Sequence, residues 1–462
     1  MKKIICIMAV AFFVQKTQAQ INFNEINNPH TSTLGARYLP TLLGNNNSRG
    51  DVMFYDINFA IGNNFMSLGD LQTITNGGQL GTNEINNYVD GLKKSNTVFT
   101  SLDLPIVNFT FVAWKKKKIP KLILGGGMRE KIDFNFNFNS DIFSLALKGN
   151  KQFEGKTISL LPSFNFLAYN EFFVTGAYHF KAIKIKKQQL NIKAATRLRY
   201  LQGIASINVN PGAISMYTHP DGRALDFDIN LDANIATAVD TSSLNNVFED
   251  IQLDNIRKNA FKNSAKGFAT DWGVSAELNN NLQVHLALID LGKIKFQNNV
   301  ANYKKTGKVT YEGYEWDKNY DNLNEDSLLN IIKPDVTYDS YSVSLGGKFL
   351  LNAVYQFGFK PKAKIPFYKH RTSLTYLQGF NNYLSSSKTP TINIGYNYSI
   401  LNRINLGVNA TLGGNNVSMA GANISFRLAK IKFGIGSNNL MPLINMQSGR
   451  GTDVNTFLGI YF

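Results

Sequence analysis

Residues 267–296 read GFATDWGVSAELNNNLQVHLALIDLGKIKF. In the first half, Trp272, Val274, Ala276 and Leu278 fall on one face, and Asp271, Gly273, Ser275 and Glu277 on the other. Strict alternation is the signature of a β-strand with unlike surroundings on its two sides. Asn279, Asn280 and Asn281 supply a turn, because asparagine tolerates left-handed backbone and hydrogen-bonds its own main chain. The returning strand sets Val284, Leu286 and Leu288 against Gln283 and His285. An apolar outside over a polar inside predicts a transmembrane antiparallel β-barrel.

The pattern recurs outward from that hairpin. Ile132, Phe134, Phe136 and Phe138 alternate with Lys131, Asp133, Asn135 and Asn137; Leu190, Ile192, Leu198 and Tyr200 oppose Lys193, Arg197 and Arg199. Over 223–238, Leu225, Phe227, Ile229 and Leu231 oppose Asp226, Asp228, Asn230 and Asp232. Later strands put Ile392, Ile394 and Tyr396 against Asn393, Gly395 and Asn397, and the chain ends on Val454, Leu458, Ile460 and Phe462. A soluble sandwich can show this once, with its polar face in water, but not on so many long strands. Connections at 62–102, 139–165, 239–267 and 292–336 are long and those at 115–119, 186–188, 219–222 and 279–281 are short. Long and short ends are a barrel's extracellular and periplasmic ends, and the tally is about fourteen to sixteen strands. A few short helices are expected in the extracellular loops, near 85–92, 142–147 and 322–332.

The N-terminus is a separate matter. Lys2 and Lys3 precede an apolar run from Ile4 to Val14, and Thr17-Gln18-Ala19 is a small-residue cleavage site. This reads as a signal peptide over 1–19, too short to cross a membrane as a helix. A polar periplasmic lead-in is expected over 20–50 and the barrel over 51–462, in an outer membrane. Cys6 is the single cysteine of the 462 residues, so the exported part uses no disulfide and no thiolate metal site. The formal charge of +16 raises nucleic acid as a partner. No recognition helix or aromatic RNA motif supports that, and the cations sit in turns and on inward faces, where outer-membrane lipid headgroups are the expected company.

Enzyme chemistry finds no foothold. His30, His179, His219, His285 and His370 are too scattered for a spaced metal pair. No nucleophile elbow occurs, and Gly125-Gly126-Gly127 lacks the Lys-Ser/Thr that follows a phosphate-binding loop. No catalytic residue, metal or cofactor is expected. The inward charges are the better lead: Lys193, Arg197 and Arg199 as a basic column, and Asp226, Asp228 and Asp232 as an acidic one. Opposed columns of this kind line a pore with a transverse field, or pair and close it.

Several short runs add a resemblance. Arg199-Tyr200-Leu201-Gln202-Gly203, Asp271-Trp272-Gly273 and Ile289-Asp290-Leu291-Gly292-Lys293-Ile294 come in order with Tyr311-Glu312-Gly313 and Ser437-Asn438-Asn439-Leu440. With these runs the chain resembles a set of Bacteroidota outer-membrane barrels grouped as a domain of unknown function. In style it is similar to PorP/SprF-like proteins and, more distantly, to fatty-acid-transport barrels. The resemblance implies the barrel and its location, and no activity. Two functions stay open: a pore or transporter for a small polar or amphipathic solute, and a non-catalytic scaffold docking a secretion or surface complex. The last strand, ending on aromatic Phe462, is the expected signal to the barrel-insertion machinery.

Overall fold

The computed structural model describes residues 21–44, 49–65, 67, 89–116, 119–185, 188–210, 212–221, 224–237, 265–311, 333–361, 363, 367–414, 418–445 and 450–462. The signal segment and the acidic stretch at 322–332 lie outside the described residues.

Fourteen antiparallel strands form the wall. The first seven are β1 (Gly50–Asn63), β2 (Asn96–Lys116), β3 (Ile119–Phe138), β4 (Ser163–His179), β5 (Gln188–Val209), β6 (Lys266–Leu278) and β7 (Leu282–Phe296). Then come β8 (Lys348–Lys360), β9 (Phe367–Gly379), β10 (Thr391–Ile400), β11 (Ile404–Gly413), β12 (Ser418–Leu428), β13 (Ile431–Ser437) and β14 (Gly451–Tyr461). Each pairs with the next, and β14 pairs back on β1 from Asp51↔Tyr461 to Gly62↔Gly451. The sheet is closed, so its wall has no free edge.

Alternation decides which side chains face out. Trp272 and Val274 are 53% and 51% exposed, while Asp271, next to Trp272, is 0% exposed. Asn279 and Asn280 turn the hairpin with φ of 51° and 60°. The hairpin carries one irregularity. Between Thr270↔Leu291 and Trp272↔Leu288 the register slips, so Asp271 opposes both Ile289 and Asp290. Asp290 takes φ 59°, and the bulge turns two consecutive side chains of β7 to the interior. Among the described residues no helix is long and apolar enough to cross a membrane.

Three expectations are corrected. Leu225–Ala236 is not a wall strand: it pairs along its length with Val300–Tyr311 and joins the wall's ladder only at Ser206–Val209. The two strands form a ribbon beyond the rim of β5. Leu225 and Phe227 pack there against Phe153, Ile158 and Met216, which accounts for the alternation without lipid. Phe138 is also withdrawn from the outer surface, with its ring 5.1 Å from those of Phe65 and Phe143. Phe143 belongs to the helix Ser140–Lys148, which covers that end of β3. Finally, the segment expected as a periplasmic lead-in lies inside the barrel. Within 21–44 all residues except Pro29, Tyr38 and Gly44 are buried. A segment enclosed on every side needs no amphipathic period, so its sequence shows none.

The apolar exterior makes a measurable demand. Val274→Arg should cost about 2–4 kcal/mol in denaturant titrations of barrel folded in lipid vesicles, and Val274→Ser much less. Equal, small costs for both would mean that water, not lipid, covers this face.

Candidate functional site in the plugged lumen

The lumen is filled by residues 21–44, which form two short helices, α1 (Phe23–Asn27) and α2 (Ser32–Gly35), and a 3-10 turn at Pro40–Leu42. Asn22 caps α1, its side chain accepting from the Glu25 backbone N–H. No described residue of the segment joins a β-ladder with the wall. It is held by side chains. Ile21, Phe23, Ile26, Leu39, Leu42 and Leu43 pack against wall residues that include Ile123, Ala177, Ala195, Ile289 and Leu350.

Polar contacts then fix its position at three levels. At the short-turn end, Lys432 donates to the His30 carbonyl at 3.1 Å and pairs with Asp51, which also accepts from Thr33 Oγ1 at 2.6 Å. Lys193 donates to the carbonyls of Thr41 (2.8 Å) and Leu43 (3.2 Å), and Thr41 Oγ1 lies 2.8 Å from His285 Nδ1. Burial first, then the nearby Arg427 and Lys432, hold the His30 imidazole down to about 3, so it sits neutral against Ser425 Oγ at 2.9 Å.

Mid-barrel, charge takes over. Lys348 Nζ lies 2.6 Å from Asp290, and Asp290 lies 2.9 Å from Arg199. Arg199 also meets Asp271 at 3.0 Å and Glu171 at 3.2 Å. Glu171, 0% exposed, accepts from Arg197 at 2.5 Å and Arg129 at 2.8 Å. Arg129 continues to Asp103 at 2.8 Å, and there the plug joins. Arg37 sits 3.4 Å from Asp103 and 3.1 Å from Asp56, and pairs with Glu25 of α1. The chain of contacts runs unbroken from β8 to β1. Five cations (Arg37, Arg129, Arg197, Arg199, Lys348) meet six carboxylates (Glu25, Asp56, Asp103, Glu171, Asp271, Asp290), so its members nearly cancel. Above it, Leu167, Tyr169, Leu201, Ile294, Phe296 and Val343 form an apolar layer toward the long loops.

The opposite wall meets the plug through amides. Asn27 donates to Asn393 at 3.1 Å, and Asn409 and Asn423 both donate to Asn24 Oδ1 at 2.9 Å. Asn28 reaches Asn423 Oδ1 at 3.1 Å and Ser425 Oγ at 2.9 Å. A cavity of about 30 Å³ remains beside Arg37, bounded by Asn22, Tyr38, Asn58, Asp103 and Arg129. That is room for water.

The expected charge columns therefore separate. Lys193, Arg197 and Arg199 do lie in the lumen, each bound to the plug or to Glu171, Asp271 and Asp290. Asp226, Asp228 and Asp232 lie on the ribbon outside the wall and do not face them. Thr310 and His219 hydrogen-bond Asp226 and hold its carboxyl below the usual range, Lys308 lies 3.7 Å from Asp228, and Asp232 accepts from Asn234 at 3.1 Å. Glu171 was legible as an inward polar position of an alternating strand, though its partners were not; alternation with Leu286 and Leu288 would have put Asp290 outside, and only the bulge brings it in. Nothing in the aperiodic stretch around Arg37 marked it out.

Glu171→Gln should lower stability by about 3–5 kcal/mol, because it leaves three buried guanidinium groups without their shared carboxylate. The denaturation midpoint in vesicles reads this; a change below about 1 kcal/mol would mean that water already satisfies these arginines.

Comparison with known proteins adds a family and little else. No curated protein sequence matches the chain. Among solved structures it is similar to the toluene transporter TbuX of Ralstonia pickettii, with TM-score 0.42, 10% identity and coverage of 96% of this chain and 100% of that one. It is also similar to the toluene transporter TodX of P. putida, with TM-score 0.37, 8% identity and coverage of 96% and 94%. Outer membrane phospholipase A from Escherichia coli follows at TM-score 0.23 and 10% identity, with 88% and 89% covered. Likeness at these scores carries no argument about activity. The family model described as "Family of unknown function (DUF5723)" matches residues 40–438, and the chain belongs to that family.

Proposed function

We propose that this protein is an outer-membrane pore or transporter for a small polar or amphipathic solute, closed at rest by its own N-terminal segment. One observation carries the reading. The lumen is occupied by a distinct segment held through side-chain contacts, while the fourteen wall strands close without it. A plug of that kind can leave or shift without breaking a single ladder bond of the wall. A barrel serving only as a structural cylinder would be expected to fill its interior from its own inward side chains. Export by a signal peptide over 1–19 and recognition of β14 by the insertion machinery belong to the same reading.

The ribbon of Leu225–Ala236 and Val300–Tyr311 favours a second one, in which the protein is a scaffold for a secretion or surface complex. It projects past the rim, and the strand edge of Lys305–Tyr311 has a partner on one side only among the described residues.

Planar-bilayer recordings of refolded full-length protein separate the two. The pore reading expects a nearly silent wild type and a current at least about tenfold larger for Arg37→Gln, since freeing one buried ion pair shifts an equilibrium by several kcal/mol. Silence in both, from folded barrels, would leave the scaffold. Steady large currents in the wild type would contradict the closed resting state.

A further inference from the structure

Resting on the pore reading, the two halves of the lumen point to a substrate class. The charged half is satisfied largely within the wall. Glu171, Arg129, Arg197, Arg199, Asp271, Asp290 and Lys348 all belong to β3–β8 and keep one another when the plug is gone. Arg37 is the one plug residue that pairs with wall carboxylates there. The amide half behaves differently, because the plug itself completes it. α1 lies on β10–β12 through Asn24 and Asn27, with Asn28 just beyond it, and the wall under it is pared to glycine. A Cβ at Gly395 would stand 2.7 Å from Asn27 Nδ2, and one at Gly407 would collide with Asn423 Nδ2. Amide groups thus rest directly on strand backbone.

This amide face is not saturated by the plug. Asn352 Oδ1 and Ser373 Oγ on the wall, and Asn24 Nδ2 and Asn27 Oδ1 on the plug, are buried without a hydrogen-bond partner in the protein. Asn352 and Ser373 are 0% and 5% exposed. Leaving such groups unpaired is costly, so the face is built for something that both donates and accepts. The cations of β9 and β12, Lys369, Arg371 and Arg427, stand nearer the short-turn end, Lys369 over the Tyr398 ring, Arg371 beside Asn397 and Arg427 beside Lys432. At the level of Asn393 and Asn409 the facing wall positions are Thr375, Ser373, Gly395, Thr411 and Gly421, none of them charged, and a hydrocarbon there would strand every amide.

We infer that the β8–β12 wall around Asn393 and Asn409 is a binding track for an uncharged solute rich in amide or hydroxyl groups, occupied at rest by the amides of α1 and Asn28 as a stand-in for that solute. Asparagine side chains offer a donor and an acceptor at each position, which matches sugars and amides regardless of detailed shape. Displacement of α1 uncovers the track, while the opposite wall remains close to neutral and repels neither sign of charge strongly.

Full-length protein in vesicles tests this, as wild type and Arg37→Gln, with Lys193→Met as a second release variant should the first fail to fold. Swelling in N-acetylglucosamine reports uncharged flux, and the zero-current potential in a KCl gradient reports ion preference. The released variants should admit N-acetylglucosamine several-fold faster than wild type, with a K⁺ to Cl⁻ permeability ratio within about threefold of one. Adding Asn409→Asp to a released variant should move that ratio at least about fivefold toward K⁺, because the new charge lies on the path. A released variant that conducts but prefers one ion more strongly than about threefold, or that ignores Asn409→Asp, overturns the amide track and leaves the pore intact. Absence of any flux from folded release variants overturns the pore reading, and this inference with it.

Discussion

A carboxylate with no access to water is tolerable only in the company of cations, and Glu171 is placed among three arginines. Much of the interior is arranged by that constraint. Arg129, Arg197 and Arg199 have spare hydrogen-bonding capacity once Glu171 is shared, and removing a guanidinium from water is as costly as removing a carboxylate. Asp103, Asp271 and Asp290 answer them, and Asp290 in turn requires Lys348. The bulge at Asp271 and Asp290 is part of the same arrangement, since regular pairing would turn Asp290 away from the lumen. Each ion pair therefore also specifies the register of a neighbouring strand.

The plug is fastened by two unlike chemistries. On one side a single guanidinium, that of Arg37, ties it to Asp56 and Asp103; on the other a set of amides ties it to β10–β12. Ion pairs of this kind are strong together and costly when broken singly, whereas each amide contact is modest. Lys193 and Lys432 add a third hold at the base through plug carbonyls. A segment bound in this way is firm as a whole, yet contributes nothing to the closure of the wall. The closed cylinder and its stopper are thus separable parts of one fold.

Alternation is a statement about two unlike surroundings, not about which surroundings they are. For Trp272 and Val274 the apolar side is the barrel exterior, and the turn at residues 279–280 and the closing strand β14 conform to the same scheme. For Leu225 and Phe227 the same pattern reports a packed cluster beyond the rim, so the acidic face of that strand looks into water and away from Arg197. Phe138 differs from Phe134 for a similar reason: a helix happens to cover it. Local sequence carries the period and is silent on the neighbour.

By itself the sequence determined the class of fold, an even-numbered antiparallel barrel with long loops at one end, because period and connection length are local properties of the chain. It also marked Lys193, Arg197 and Arg199 as inward. What only the tertiary structure decided was who meets them. Glu171, Asp290, Arg37 and the plug amides come from stretches as much as several hundred residues apart, and three-dimensional closure alone brings them within hydrogen-bonding distance. The role of residues 21–44 lay beyond any periodic reading, since a segment buried on all sides has no face to repeat.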